Sequence, residues 1–143
     1  EITRFLRETF GEKLPRIIME PGRYLVGDSG VLVSEVVLVS RKSRMSEDRW
    51  VFQDCGKFGG LIETLGEAIK YPVISERRGP LSKVILAGPT CDSMDTLYEG
   101  SNYELPDDLA AGDKLYWLST GAYTSSYSSI EFNGFPPLRT YVV

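Results

Sequence analysis

The stretch Gly88-Pro89-Thr90-Cys91-Asp92-Ser93-Met94-Asp95 sets a thiol and two carboxylates directly after the apolar run Val84-Ile85-Leu86-Ala87. A thiol serves as proton donor or nucleophile when its surroundings tune it and it can reach a substrate, and the end of a rigid strand gives that reach. The plain alternative is a buried cysteine beside a turn-capping aspartate. Glu20-Pro21-Gly22-Arg23 joins an acid and a base across a turn, and its plain alternative is a local ion pair. Asp54 precedes the glycine-rich run Cys55-Gly56-Lys57-Phe58-Gly59-Gly60, which lacks phosphate-loop spacing and is followed by no Lys-Ser/Thr pair. In Gly121-Ala122-Tyr123-Thr124 the small residues would admit a ligand close to the backbone; otherwise Tyr123 sits on a surface turn. Phe132-Asn133-Gly134-Phe135 follows it.

Composition removes several other chemistries. The chain has no histidine and two cysteines, Cys55 and Cys91, so it cannot build a histidine metal site or a Ser-His-Asp or Cys-His nucleophile. No metal site is expected. A net charge of -4 without long basic runs argues against a nucleic-acid surface, and no apolar run approaches the roughly 20 residues of a membrane span. With 42% hydrophobic and 25% charged residues, the 143 residues suit one soluble domain. A single disulfide is conceivable, but without a preceding secretory signal reduced thiols in the cytoplasm are the expectation.

The elements that must position these groups are mostly strands. Ile2, Phe5, Leu6 and Phe10 recur at helical spacing ahead of Gly11, which predicts an amphipathic helix over residues 1–10. It carries no start signal, as though the chain opened within a larger architecture. A short strand is expected at Arg16–Met19. Val31–Val39 is nearly continuous apolar sequence, long enough to pass from one packing environment to another. Further strands are predicted at Trp50–Phe52, Tyr71–Ile74, Lys83–Ala87, Asp95–Tyr98, Lys114–Leu118 and Leu138–Val142, with turn residues between them. The fold class is mainly β, a barrel or sandwich.

Taken in order, Glu20-Pro21-Gly22-Arg23, Asp54 before the glycine-rich loop, Gly88-Pro89-Thr90-Cys91-Asp92, Gly121-Ala122-Tyr123-Thr124 and Phe132-Asn133-Gly134-Phe135 resemble the C-terminal portion of the ornithine/lysine decarboxylases. These are pyridoxal-phosphate enzymes that pair an alanine-racemase-like barrel with a β-domain. Gly59-Gly60-Leu61-Ile62-Glu63-Thr64 and the Tyr141-Val142-Val143 ending resemble bacterial members most. The resemblance implies that residues 1–30 are the last helix and strand of a (β/α)8 barrel and that 31–143 form the C-terminal β-domain.

It also implies a role for each matched residue. Glu20 would hold the pyridinium nitrogen, while Arg23 and Tyr123 would bind the cofactor phosphate. Cys91 would be the general acid that returns a proton to the substrate α-carbon. Asp54 and Asp92 would receive the distal ammonium of ornithine or lysine, and Phe132 would line the pocket. The implied reaction yields putrescine or cadaverine and carbon dioxide, in polyamine biosynthesis. Active sites would be shared across a two-fold homodimer, with the Cys91-Asp92 loop reaching the neighbouring cofactor.

No lysine here matches the family's Schiff-base lysine, so the chain alone should be inactive and should need an upstream barrel half. Alternatives are a diaminopimelate decarboxylase, an amino-acid racemase and a non-catalytic decarboxylase-like regulatory protein. Asp92 disfavours the first, because glutamate typically follows the cysteine in that branch. Cys91 disfavours the second, and the retention of Glu20, Arg23, Cys91 and Tyr123 disfavours the third.

Overall fold

The computed structural model describes residues 1–143, with helix α1 at Ile2–Phe10 and a single helical turn, α2, at Arg23–Val26. The strands are β1 (Leu32–Ser40), β2 (Arg49–Gln53), β3 (Val73–Ser75), β4 (Leu81–Ala87), β5 (Thr96–Leu97), β6 (Glu104–Pro106) and β7 (Lys114–Trp117). They form one sheet in the order β3-β7-β1-β2-β4-β5, with β6 added to β4. The sheet curls as a half-barrel, so that β3 and β6 approach each other across it. No helix is long and apolar enough to cross a membrane.

Strand β1 makes the passage that its long apolar run predicts. Leu32–Glu35 pairs with β7, and Val36–Ser40 pairs with β2, with a register break between Val36 and Leu38. A bulge bends a strand and increases its twist, which lets β1 belong to both halves of the curl. The concave side holds the main core, where Val36, Val51, Val84, Leu86, Leu97, Leu105, Leu115 and Trp117 are almost fully buried. Because side chains alternate across a strand, the intervening residues face the other way. Trp50, Ile85 and Ala87 form a second, smaller apolar cluster there, with Phe52 against it.

Most polar groups inside the curl are matched locally, the exceptions being Arg49 Nε and Gln53 Nε2, which are buried without a partner. Trp117 Nε1 donates to Ser34 Oγ at 3.0 Å, and Ser34 Oγ donates to Gln53 Oε1 at 2.8 Å. Arg49 donates to the carbonyls of Ser82, Leu105 and Pro106, tying β6 to the mouth of β2.

Four sequence expectations change. Arg16–Met19 forms no strand: Ile17, Ile18 and Met19 are exposed, and no strand of this chain lies beside them. Leu138–Val142 likewise stays irregular, although Leu138 packs on the core. Strand β3 begins at Val73 rather than Tyr71 because the preceding peptide groups are taken. Tyr98 Oη accepts the Tyr71 N–H at 3.0 Å, Tyr103 Oη donates to the Tyr71 carbonyl at 2.6 Å, and Pro72 has no N–H. Strand β5 shrinks to Thr96–Leu97, because Asp95 ends a helical turn. The short strand Glu104–Pro106 was not anticipated. Helix α1 forms where expected, but it buries none of its residues: Ile2, Phe5 and Phe10 are exposed.

At the rim, Arg77 grips Asp113 with two hydrogen bonds of 2.8 and 3.0 Å, and the Ala110 N–H adds a third at 2.7 Å. These contacts, Arg77 first, hold the Asp113 carboxyl below its ordinary value. A carboxyl depressed in the folded state stabilises above its unfolded pKa of about 3.9 and loses that contribution as pH falls through the folded value. Thermal melts of wild type and Asp113→Asn should therefore converge at strongly acidic pH, separate as pH rises towards about 4, and keep a constant separation above it. Parallel curves over that range would exclude the linkage.

Candidate active site at the ends of two parallel strands

Strands β2 and β4 are the parallel pair in an otherwise antiparallel sheet, in register from Arg49 beside Val84 to Phe52 beside Ala87. Parallel neighbours deliver their C-terminal loops to the same edge, the usual place for ligands beside parallel strands. Asp54-Cys55-Gly56 leaves β2 here, next to Gly88-Pro89-Thr90-Cys91-Asp92 leaving β4.

Asp95 joins the two loops from beneath. Its carboxylate is buried, with Oδ1 accepting the Lys57 N–H at 2.7 Å and Oδ2 accepting the Thr90 hydroxyl at 2.8 Å and N–H at 3.2 Å. The Asp95 carbonyl accepts the Gly88 N–H at 2.8 Å. Both loops need glycine to come so close, since a Cβ on Gly56 would lie 2.0 Å from Asp95 Oδ1 and one on Gly88 2.2 Å from Oδ2.

The two cysteines part company. Cys55 is buried in the core, and burial, helped by the Asp54 and Asp95 carboxylates, pushes its thiol up to about 12, leaving it inert. Cys91 is exposed, and both thiols are free. The Cys91 N–H and Sγ both lie against Asn133 Oδ1, at 3.2 and 3.3 Å. Asp92 spends Oδ1 on the Met94 N–H at 2.8 Å, capping the turn Ser93–Asp95, and Oδ2 has no protein partner. Thus Asp92 does cap a turn, while Cys91 is not the buried thiol of the plain alternative.

Asp54 and Asp92 line different cavities within the chain. Asp54 faces one of about 300 Å³ with Phe58, Phe132 and Arg139. Its Oδ1 accepts the Glu35 N–H at 2.7 Å, and Phe132 stacks on Phe58 with ring centres 4.3 Å apart. Asp92 faces an open cleft of about 560 Å³ with Cys91, Lys42, Trp50 and Phe52, floored by the outer apolar cluster. Pro89 and Thr90 form the wall between the two.

A second grouping assembles around α2. The Arg23 guanidinium pairs with the Glu63 carboxylate, so the local ion pair with Glu20 is not made. It also donates to the Tyr71 hydroxyl at 3.2 Å and lies 5.4 Å from the centre of the Tyr123 ring. Tyr123 adopts a left-handed φ of 56° and is partly exposed. The turn after α2 presses on the loop before Tyr123: the Gly121 N–H donates to the Gly27 carbonyl at 2.8 Å, and the Thr120 N–H to the Gly30 carbonyl at 3.0 Å. A Cβ on Gly121 would lie 1.9 Å from the Val26 carbonyl oxygen, so glycine is required. Glu20 is exposed and touches none of these groups.

Glu63 is the charged partner that sequence reasoning missed. It lies in the helical turns following the glycine-rich loop, the same segment whose Phe58 meets Phe132. That segment therefore connects the Arg23 grouping to the Asp54 cavity.

Residues 23–121 match the family model described as pyridoxal-dependent decarboxylase, C-terminal sheet domain. Among curated relatives, the lysine/ornithine decarboxylase of Selenomonas ruminantium is 34% identical over 81% of the chain and 28% of its own length. The diaminopimelate decarboxylase of Escherichia coli strain K12 is 36% identical over 86% of the chain and 31% of its own length. A crystal structure of a point mutant of Helicobacter pylori diaminopimelate decarboxylase complexed with L-lysine superposes with a TM-score of 0.74 at 30% identity, covering 92% of this chain and 31% of the other. The chain spans about a third of the length of the relatives it matches. With this sheet, this order of motifs and a family match across most of its length, the chain belongs to the pyridoxal-dependent decarboxylases and carries their C-terminal sheet domain.

Proposed function

We propose that the polypeptide carrying this chain decarboxylates L-ornithine or L-lysine, working with an upstream barrel half as a two-fold dimer. In this assignment residues 1–30 complete the barrel and 31–143 form the sheet domain. The observation that carries the reading is the Cys91-Asp92 loop, which presents an exposed thiol beside a carboxylate oxygen without a protein partner. The free thiols suit a reducing, cytoplasmic setting.

The residues fit a phosphate-bearing pyridine cofactor. Arg23 offers a planar fork braced by Glu63 and Tyr71, and Tyr123 offers a hydroxyl over Gly22, where a Cβ would intrude to 3.2 Å. Glu20, without an ion-pair partner, is free to meet a ring N–H. When bound, pyridoxal phosphate supplies an electron sink for the bond to carbon dioxide. Within this chain, Arg23 and Tyr123 hold the phosphate, and Cys91 Sγ carries the proton for the α-carbon. Asp92 accepts the distal ammonium, and Phe132 on Phe58 gives the pocket an apolar wall. Asp54 and Asp92 face different cavities of this chain, and in the two-fold dimer of this reading Asp54 of one subunit and Asp92 of the other would bracket one ammonium.

Diaminopimelate decarboxylation is the second reading, favoured by the 36% identity to the E. coli enzyme. The distal end separates the two: ornithine and lysine end in an ammonium alone, which Asp92 attracts, whereas diaminopimelate carries a carboxylate beside its distal ammonium, which Asp92 repels. Carbon dioxide release by the full-length enzyme from ornithine, lysine and diaminopimelate tests both. Release from the two diamino acids alone is expected, and a preference for diaminopimelate would overturn the first reading. Asp92→Ala should raise the KM for the diamino acid about 10-fold or more, the worth of a charged hydrogen bond, with cofactor affinity unchanged. An unmoved KM would remove Asp92 from the substrate site.

A further inference from the structure

Asn133 stands 42 residues beyond Cys91, yet its side-chain oxygen is the group the Cys91 thiol touches. Oδ1 accepts the backbone N–H at 3.2 Å and lies 3.3 Å from Sγ, within reach of an S–H donor. One amide oxygen thereby sets both the position of the loop and the direction of its thiol. We infer that Asn133 is a positioning residue for Cys91, holding the proton-bearing sulfur in one orientation until substrate arrives. This inference rests on the decarboxylase reading and on Cys91 as its proton donor.

The turn carrying Asn133 is built to hold it. Glu131, Asn133 and Gly134 adopt left-handed backbone angles, φ 60°, 54° and 79°. Asparagine tolerates that region better than other residues with side chains of its size. Between them, Phe132 stacks on Phe58 at 4.3 Å, and just upstream the Ser129 N–H donates to the Phe58 carbonyl at 2.8 Å. The amide is therefore anchored to the glycine-rich loop. Asp95 fixes that same loop, through the Lys57 N–H, to Thr90 at the base of the cysteine loop. The thiol and its acceptor thus approach each other from two arms of one braced frame.

Two variants of the full-length enzyme separate orientation from folding. Asn133→Gly keeps the left-handed turn and removes the acceptor, whereas Asn133→Asp keeps an oxygen at the same reach. Two readouts apply: the rate of iodoacetamide alkylation at Cys91, followed by peptide mass, and the diamine formed per carbon dioxide released. The glycine variant should be alkylated roughly 2- to 10-fold faster, the worth of one net hydrogen bond. It should also form less diamine than carbon dioxide with KM unchanged, while the aspartate variant, whose negative charge disfavours the thiolate, is alkylated no faster than wild type and keeps its diamine yield. Unchanged alkylation in Asn133→Gly would overturn the contact. Faster alkylation with full diamine yield, in an enzyme whose Cys91→Ala variant loses that yield, would overturn the positioning role. Should Cys91→Ala itself keep full yield, the proton-donor reading fails first, and this inference falls with it.

Discussion

Alanine at Cys91 should uncouple the two products of the full-length enzyme: carbon dioxide release should continue at a reduced rate while diamine formation falls about 100-fold or more, the usual worth of a positioned general acid, and the missing diamine would be recovered as the amino aldehyde, its nitrogen left on the cofactor. The argument is one of separation. Arg23 and Tyr123, the residues assigned to the phosphate, form a grouping around α2 held by Glu63 and Tyr71, and Cys91 touches none of it. Cofactor affinity should therefore be unchanged, as read by spectroscopic titration. The sulfur is exposed and its fixed contact is Asn133, so its loss leaves no buried group unpaired and stability should hold. Cys55 cannot substitute, because it is buried in the core with its thiol pushed up to about 12. An alanine variant with wild-type turnover and one diamine per carbon dioxide would remove Cys91 from the chemistry.

Local sequence carried the strands that find a neighbouring strand in this chain and misplaced the segments that find none. The apolar run at Val31–Val39 signalled a strand between two environments, and β1 does divide its pairing between β7 and β2. Arg16–Met19 and Leu138–Val142 have comparable β-branched character, but a strand needs a neighbouring ladder and none stands beside them. The late start of β3 was hidden for a different reason, since hydroxyls of Tyr98 and Tyr103, each more than 25 residues away, occupy the Tyr71 peptide. In the site, residue types announced the chemistry while the supports stayed silent. Nothing near Arg23 in sequence points to Glu63, and nothing near Cys91 points to Asn133. The one available signal was Asp95, an aspartate three residues past Asp92, with Gly56 and Gly88 supplying the bare backbone it packs on.

That signal leads to the largest stability effect expected of any residue at this site. Asp95→Ala would leave three donors facing a cavity: the Lys57 N–H, the Thr90 N–H and the Thr90 hydroxyl. Water can reach partly buried Thr90 more readily than buried Lys57, so the penalties should not add in full. A loss on the order of 2–4 kcal/mol is expected, since each stranded buried donor costs about 1–3 kcal/mol. Asp95→Asn is the sharper comparison. Its oxygen can still accept the Lys57 N–H, but its NH2 then faces the Thr90 N–H, so it should recover part of the loss. Denaturant midpoints of the two variants give that ordering directly. The functional consequence follows from where Asp95 sits: it fixes the base of the Cys91 loop against the glycine-rich loop and touches neither Arg23 nor Tyr123. Under conditions where Asp95→Asn remains folded, diamine yield per carbon dioxide should fall while cofactor affinity holds. Equal stability of wild type and Asp95→Ala would mean that the two loops are joined by something other than this carboxylate.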